Sequence, residues 1–209
     1  MPSAIRLCFF ALLVLCGGAR AETPEQWVAL LSRVHGGFGS FLPIGIRIGE
    51  DAIKRMGAKP RELSVVFHQG EGVPCPCPAD GVMLAVGASP GQGTLQVAAE
   101  KSPPGTFAVV TIRPRTGGDG LKYTVPMSVM PTLGHVNSTI QDPLARYDAV
   151  MATTDLFTSS PSNKSIGHHF SRKIATTAAR IRSAASLPSL GGPSRRDPHG
   201  RRAGPGSTA

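Results

Sequence analysis

Two cysteines separated by a single proline, Cys75 and Cys77, have the most distinctive chemistry in this chain. A disulfide between residues so close in sequence needs a sulfur geometry that is hard to reach over a short loop. Thiolates, by contrast, are good zinc ligands and good nucleophiles. We therefore expect the pair to hold a soft ligand or to be reactive itself, with an unligated or oxidised pair as the alternative.

Further candidate ligands lie close to these cysteines. His68 and Glu71 fall with Cys75 and Cys77 within ten residues, between a predicted strand and a predicted helix. Imidazole and carboxylate groups can complete a zinc site. A thiol at a helix start also faces unpaired amide N–H groups and the positive end of the helix dipole, which stabilise the thiolate. A C-x-C pair with one nearby histidine is still a much less specific signal than two C-x-x-C pairs.

Sequence patterns in the N-terminal half of the chain predict two helices that would lie near the loop of Cys75 and Cys77. Thr23 is the expected N-cap of the first helix, which glycines at 36 and 37 end. The segment 41–56 alternates in places like a strand, but its longer apolar spacing is helical, so we predict a helix. Gly45 and Gly49 are then expected at points of close packing.

Patterns of apolar residues and turn residues predict the remaining elements. One helix is expected to begin at Pro78. Another is expected to begin after Pro143 and to run to about Phe157. Strands are expected at 62–68, 94–99, 106–113 and 121–125. The order is α-α-β-α-β-β-β-α, which predicts an α+β fold with the helices on one face of a mixed sheet.

Residues 1–21 have the features of a signal peptide. An apolar stretch at Leu7–Leu15 is too short to anchor in a bilayer, and Ala19-Arg20-Ala21 is a cleavage pattern. A lipoprotein modified on Cys16 is the rival interpretation. No later apolar run is long enough for a membrane span. We expect a periplasmic or secreted protein.

The formal charge of +9 is concentrated at the C-terminal end of the chain. Residues 164–209 hold nine Lys and Arg against one acid, whereas 22–163 hold eleven against twelve. We predict a domain at 22–160 and a basic, largely disordered tail at 161–209. The tail is either a plain extension or an arm for an anionic partner, and the near-neutral domain does not predict nucleic-acid binding.

Two blocks of sequence resemble the family of the formylmethanofuran dehydrogenase E-subunit. The first is His35-Gly36 followed by Leu42-Pro-Ile-Gly-Ile-Arg47. The second is Cys77-Pro-Ala-Asp80-Gly, an apolar helix, and Gly87-Ala-Ser-Pro-Gly-Gln-Gly-Thr-Leu95. The similarity covers about residues 25–125. It implies an α-β-α-β-β-β domain with a zinc-type site.

The resemblance also assigns individual positions. His35 matches the family's first histidine, Cys77 its central cysteine and Asp80 the acid that follows. The family's second histidine and first cysteine correspond to Gly37 and Gly39 here, so those two ligands are missing. Stand-alone members have no settled activity, so the resemblance implies a site and no reaction.

Three functional hypotheses follow. The first is an exported accessory domain that binds a metal ion, with zinc as the candidate, or a small-molecule ligand. Its metal ligands would be His35, His68, Cys75, Cys77 and Asp80. The second is a thiol-dependent enzyme in which Cys77 is the nucleophile and His35 or His68 the base. The third is an interaction protein that has lost the site. We also expect a homodimer, with the exposed strand at 121–125 and the apolar stretch Val129-Met130-Pro131 as its interface.

Overall fold

A five-stranded mixed sheet and the helices that cover it make up the described part of the protein. The computed structural model describes residues 22–163; the predicted signal peptide and residues 164–209 of the predicted tail lie outside the described residues. The elements in chain order are α1 (Pro24–His35), α2 (Leu42–Met56), β1 (Leu63–Gln69), α3 (Cys77–Val86), β2 (Leu95–Val97), β3 (Thr106–Pro114), β4 (Gly120–Pro126), α4 (Val129–Thr139), α5 (Pro143–Ala152) and β5 (Thr158–Ser162).

The strands lie in the order β2-β1-β3-β4-β5. β1 pairs with β2 in parallel, whereas the other neighbouring pairs are antiparallel. Leu63, Val65 and Phe67 alternate along β1 and are buried in the main core with apolar residues of α2 and α3. The predicted α+β class, with helices on a mixed sheet, is confirmed.

Helix α1 forms as its sequence predicts. The Thr23 hydroxyl accepts a hydrogen bond from the Gln26 amide, and the Gln26 side chain accepts one from the Thr23 amide. This capping box pairs two of the orphan N–H groups of the first turn. At the other end Gly36 takes a left-handed conformation, with φ of 86°, and ends the helix directly after His35.

Helices α2 and α3 cross at a close backbone contact built on glycines. A Cβ atom at Gly45 would overlap the Pro78 carbonyl oxygen, and one at Gly81 would overlap the Leu42 carbonyl oxygen. At Gly49 a Cβ would lie 2.5 Å from the Ala85 Cβ. The helix prediction for this segment and the close packing at Gly45 and Gly49 are both confirmed. The contact fixes where α3 begins.

The sequence analysis did not predict α4 or β5, and it predicted that α5 would run to about Phe157, whereas the helix ends at Ala152. His135, expected in a loop, is an exposed residue of α4. β5 pairs with the outer side of β4. The prediction that the strand at 121–125 is an exposed interface was therefore wrong, because its edge is already hydrogen-bonded. β5 also runs two residues past the domain boundary predicted at 160.

Within residues 22–163, no helix combines the length and the apolar character that crossing a bilayer requires.

Candidate functional site

One imidazole and two sulfur atoms come together between α1 and the start of α3. One ring nitrogen of His35 and the Sγ atoms of Cys75 and Cys77 all lie within 4.8 Å of one another. The histidine and the cysteines are forty residues apart in sequence, so the fold creates this group. The structure places His35 against the cysteine loop, as the sequence analysis expected, and its role as a ligand stays a prediction.

Cys77 is the first residue of α3 and is 8% exposed. It packs in a second apolar cluster, formed mainly by helical residues that include Trp27, Leu31 and Tyr147. Cys75 is only partly buried and lies at the edge of the same cluster. The two sulfur atoms therefore differ in access from solvent.

A disulfide joins Cys75 to Cys77. The expectation that this bond would be hard to close was wrong, and the backbone at Pro76 explains why. An extended chain would place Cα atoms two residues apart at roughly 7 Å. Pro76, with φ of −79° and ψ of 34°, turns the chain into α3 and brings the two Cα atoms to 5.3 Å. That separation is in the usual disulfide range.

Asp80 contacts the site through His35. The His35 Nδ1–H donates a hydrogen bond of 2.7 Å to Asp80 Oδ2, and both side chains are about one-third exposed. A carboxylate can only accept, so Nδ1 carries a proton, and in a neutral ring the lone pair is then on Nε2. Among metal-binding histidines, a carboxylate commonly orients the ring in this way. Asp80, predicted as a ligand, lies outside the group of three possible donors and contacts it through His35; its own role as a ligand stays a prediction.

His68 lies apart from this group. Its side chain alternates with that of Phe67 along β1, so it lies on the sheet face opposite the main core. Its Nδ1–H donates to the Glu100 carbonyl oxygen at 3.1 Å. Glu71 is exposed in the loop that follows and is also outside the His35, Cys75 and Cys77 group. The structure therefore does not bring the predicted His68 ligand to the cysteines.

Two buried polar residues that the sequence analysis missed hold the segment after His35. Arg146 on α5 donates to the carbonyl oxygens of Phe38, Asn137 and Ile140. Ser40, fully buried, donates through its hydroxyl to the Leu133 carbonyl oxygen at 2.6 Å. A lone arginine in the apolar stripe of α5 was the sequence feature that could have identified Arg146. No sequence feature identified Ser40.

The side chains of His35, Cys75 and Cys77 fit a metal ion when the two cysteines are reduced. Two thiolates and an imidazole would give three of the four positions of a tetrahedral zinc site and leave one open. The disulfide sulfurs are uncharged and cannot act as thiolate ligands. The residues therefore fit zinc when the Cys75–Cys77 bond is reduced. With the bond formed, His35 is the one remaining donor of the three.

A separate cleft of about 620 Å³ lies at the opposite end of β1. It is lined by the α2–β1 connection and the end of β3, including Arg61, Glu62 and Arg115. No residue of the cysteine and histidine group lines it. Its exposed walls show no arrangement specific for a ligand, so the functional argument rests on the His35, Cys75 and Cys77 group.

The fold and site define an α+β domain with a potential metal site at a helix–loop junction. The family model described as "FmdE, Molybdenum formylmethanofuran dehydrogenase operon" matches residues 34–184. Because this is more than half of the chain, the protein belongs to that family, as the resemblance implied. The match includes His35, both cysteines and Asp80. It ends beyond residue 163, outside the described residues.

One solved structure is similar over much of its length. It is a tungsten formylmethanofuran dehydrogenase FmdE-like protein from Syntrophus aciditrophicus, with 16% identity and a TM-score of 0.42. The similarity covers 68% of this chain and 73% of that chain. Values this low support no argument about function. No curated protein matches the chain.

Proposed function

We propose that the protein is an exported accessory domain that binds a metal ion, with zinc as the expected metal. The observation that carries the proposal is the convergence of His35, Cys75 and Cys77 within 4.8 Å. These residue types match the ligand preferences of zinc. The signal-peptide pattern at 1–21 supports export, and the partly exposed edge of the site at Cys75 gives a ligand access.

Asp80 supports the same function from outside the ligand set. By holding the Nδ1 proton it leaves Nε2 as the basic nitrogen, and its negative charge makes the imidazole a stronger donor. Three protein ligands leave a fourth coordination position for water or a small molecule, an arrangement typical of exchanging or catalytic zinc sites. Delivery or sensing of a metal would require metal binding but no turnover of a substrate.

The test is the metal content of the full chain after reduction, incubation with zinc and desalting. The unaltered chain is expected to retain about one zinc per molecule. The Cys75→Ser/Cys77→Ser chain is expected to retain none. The chains are produced without export, so that residues 1–21 are retained. Cys8→Ser/Cys16→Ser is then the matched control, since it makes the same chemical change at the other two cysteines and should leave zinc binding intact. Absence of zinc from the unaltered, reduced chain would contradict the proposal.

A thiol-dependent enzyme is the second candidate, and one observation favours it. The pair formed by His35 and Asp80 supplies an oriented base beside the sulfurs, the third group that such a mechanism needs. The zinc experiment separates the two functions. A reduced chain that binds no zinc but whose thiols are alkylated much faster than a free cysteine would move the assignment to the enzyme.

A further inference from the structure

The disulfide and the proposed metal site use the same two sulfur atoms. A sulfur bonded to its neighbour has no thiolate charge to offer a metal ion. We propose that the Cys75–Cys77 bond undergoes reversible thiol–disulfide exchange with small external thiols, and that its reduction creates the metal site. This inference rests on the proposed function and adds to it a redox control of metal capture and release.

The geometry of the pair gives the exchange a direction. Cys75 is partly exposed, whereas Cys77 is 8% exposed and packs among helical side chains. An incoming thiol therefore reaches Cys75 first. Cys77 is the first residue of α3, and the positive end of the helix dipole favours its departure as a thiolate. A stabilised leaving thiolate speeds exchange.

Each step of the exchange balances. The thiolate of a small thiol attacks Cys75 Sγ, the bond between the cysteines breaks, and its electron pair stays on Cys77. A second external thiolate attacks the external sulfur of this mixed disulfide and displaces Cys75 as a thiolate. The two external thiols leave as their own disulfide and release two protons. The protein pair has gained two electrons, and the reverse reaction with a small disulfide restores the bond.

The short spacing makes the exchange reversible in practice. With one residue between the cysteines, the reduced sulfurs stay near each other and close again readily. Asp80 keeps His35 oriented in either state, so the third ligand does not depend on the oxidation state of the cysteines.

The test follows thiols and zinc binding in the same samples. The full chain carrying Cys8→Ser/Cys16→Ser is equilibrated without metal over a series of ratios of glutathione to glutathione disulfide. Free thiols are counted by alkylation and mass spectrometry, and zinc binding is then measured against a chromophoric chelator under anaerobic conditions. Two thiols are expected to appear together, and zinc binding to rise over the same ratios from none to one equivalent.

Two single variants test the direction of attack. With Cys77→Ser the remaining Cys75 is expected to form a mixed disulfide with glutathione disulfide readily. With Cys75→Ser the buried Cys77 is expected to react more slowly. Neither variant should bind zinc as tightly as the reduced pair. Equal rates in the two variants would overturn the proposed direction.

The outcomes separate this inference from the function on which it rests. Zinc bound equally by the oxidised and reduced chains, or cysteines that stay reduced at every ratio, would overturn the redox control and leave metal binding standing. Reversible exchange without zinc binding at any ratio would remove the metal function, and the coupling with it. Only thiols and zinc binding that rise together support the inference.

Discussion

The carboxylate of Asp80 accepts a hydrogen bond from Nδ1 of His35, so that in the neutral ring Nε2 is the nitrogen able to bind a ligand. Its hydrogen bond of 2.7 Å joins two residues from different helices. The same carboxylate lies in the first turn of α3, where a negative charge is favourable. One side chain therefore supports both the helix that carries Cys77 and the ring that faces it.

Replacement of Asp80 by asparagine is expected to weaken zinc binding by about 10- to 100-fold, the usual cost of losing such an orienting group. The amide keeps the shape but loses the charge, and it can also present its NH₂ group to His35. Zinc affinity of the reduced chain, measured by chelator competition, checks the effect.

The matched control for Asp80 is Asp119→Asn, which makes the same change in an exposed turn away from the cysteines. It should leave the affinity unchanged. An Asp80→Asn chain with unaltered affinity would show that Asp80 does not orient His35 for binding.

At the scale of the elements, the contact between α2 and α3 both stabilises the fold and positions the cysteines. The backbones of the two helices touch at Gly45 and Gly81, and the first turn of α3 carries Cys77. On the other side, the loop before α3 is held by the Gln69 side chain, which donates to the Val73 carbonyl oxygen at 2.6 Å. The position of the cysteines is thus set from both ends.

Gly45→Ala is expected to destabilise the protein by about 1–3 kcal/mol, because the new methyl group meets backbone rather than a movable side chain. It should also weaken zinc binding, since α3 must shift where the ligands begin. Thermal unfolding and zinc affinity check the two effects.

Gly134→Ala is the matched control for this helix glycine, because a Cβ there meets nothing within 4 Å. Alanine is the better helix former by up to about 1 kcal/mol, so this variant should be neutral or slightly stabilising. A Gly45→Ala chain as stable as the control would refute the close contact.

The sequence was informative where apolar spacing and caps were strong, and silent where backbone pairing decided the structure. Thr23, Gly36 and Gly45 identified α1 and α2 because each residue type fits its local geometry. β5 has no apolar residue and contains Pro161, so its pairing with β4 left no pattern to find. In α4, Pro131 and Gly134 obscured the helical spacing of Val129 and Leu133.

Within the site, the residues were easier to predict than their chemical state. His35, Cys77 and Asp80 followed from the family resemblance, and Cys75 from its type and position. The disulfide was missed because it depends on the turn at Pro76, and spacing alone does not reveal a backbone angle. His68 was over-predicted, because proximity along the chain ignores the side of the sheet that a residue faces.

At the scale of the whole molecule, a half-buried carboxylate connects stability to pH. Burial of Glu50 on α2 raises its pKa above the ordinary value of 4.5, and a hydrogen bond from the Trp27 side chain only partly opposes this. The folded state therefore binds the proton more tightly than the unfolded chain. The stability that comes from this tighter proton binding is present at low pH, and it is lost as pH rises from about 4.5 through the raised pKa of Glu50.

Glu50→Gln should remove this loss, because the amide carries no charge at any pH and still accepts from Trp27. The variant is expected to be more stable than the unaltered chain at pH 7, with the difference shrinking as the pH falls through the raised pKa of Glu50 towards 4.5. Denaturant unfolding across that range measures it.

Glu100→Gln, at an exposed position, is the control for Glu50 and should follow the unaltered chain at each pH. A Glu50→Gln curve parallel to that of the unaltered chain would show that Glu50 titrates alike in the folded and unfolded states.

Helix α1 reaches the cysteines with only Trp27 and Leu31 buried among its twelve residues. A segment held by so little apolar surface opens locally at a smaller free-energy cost than unfolding of the whole domain. Fraying of α1 withdraws the imidazole while the sheet and the α2–α3 contact stay folded. We therefore expect the lifetime of a metal complex at this site to depend on the transient detachment of α1, without rearrangement of the core.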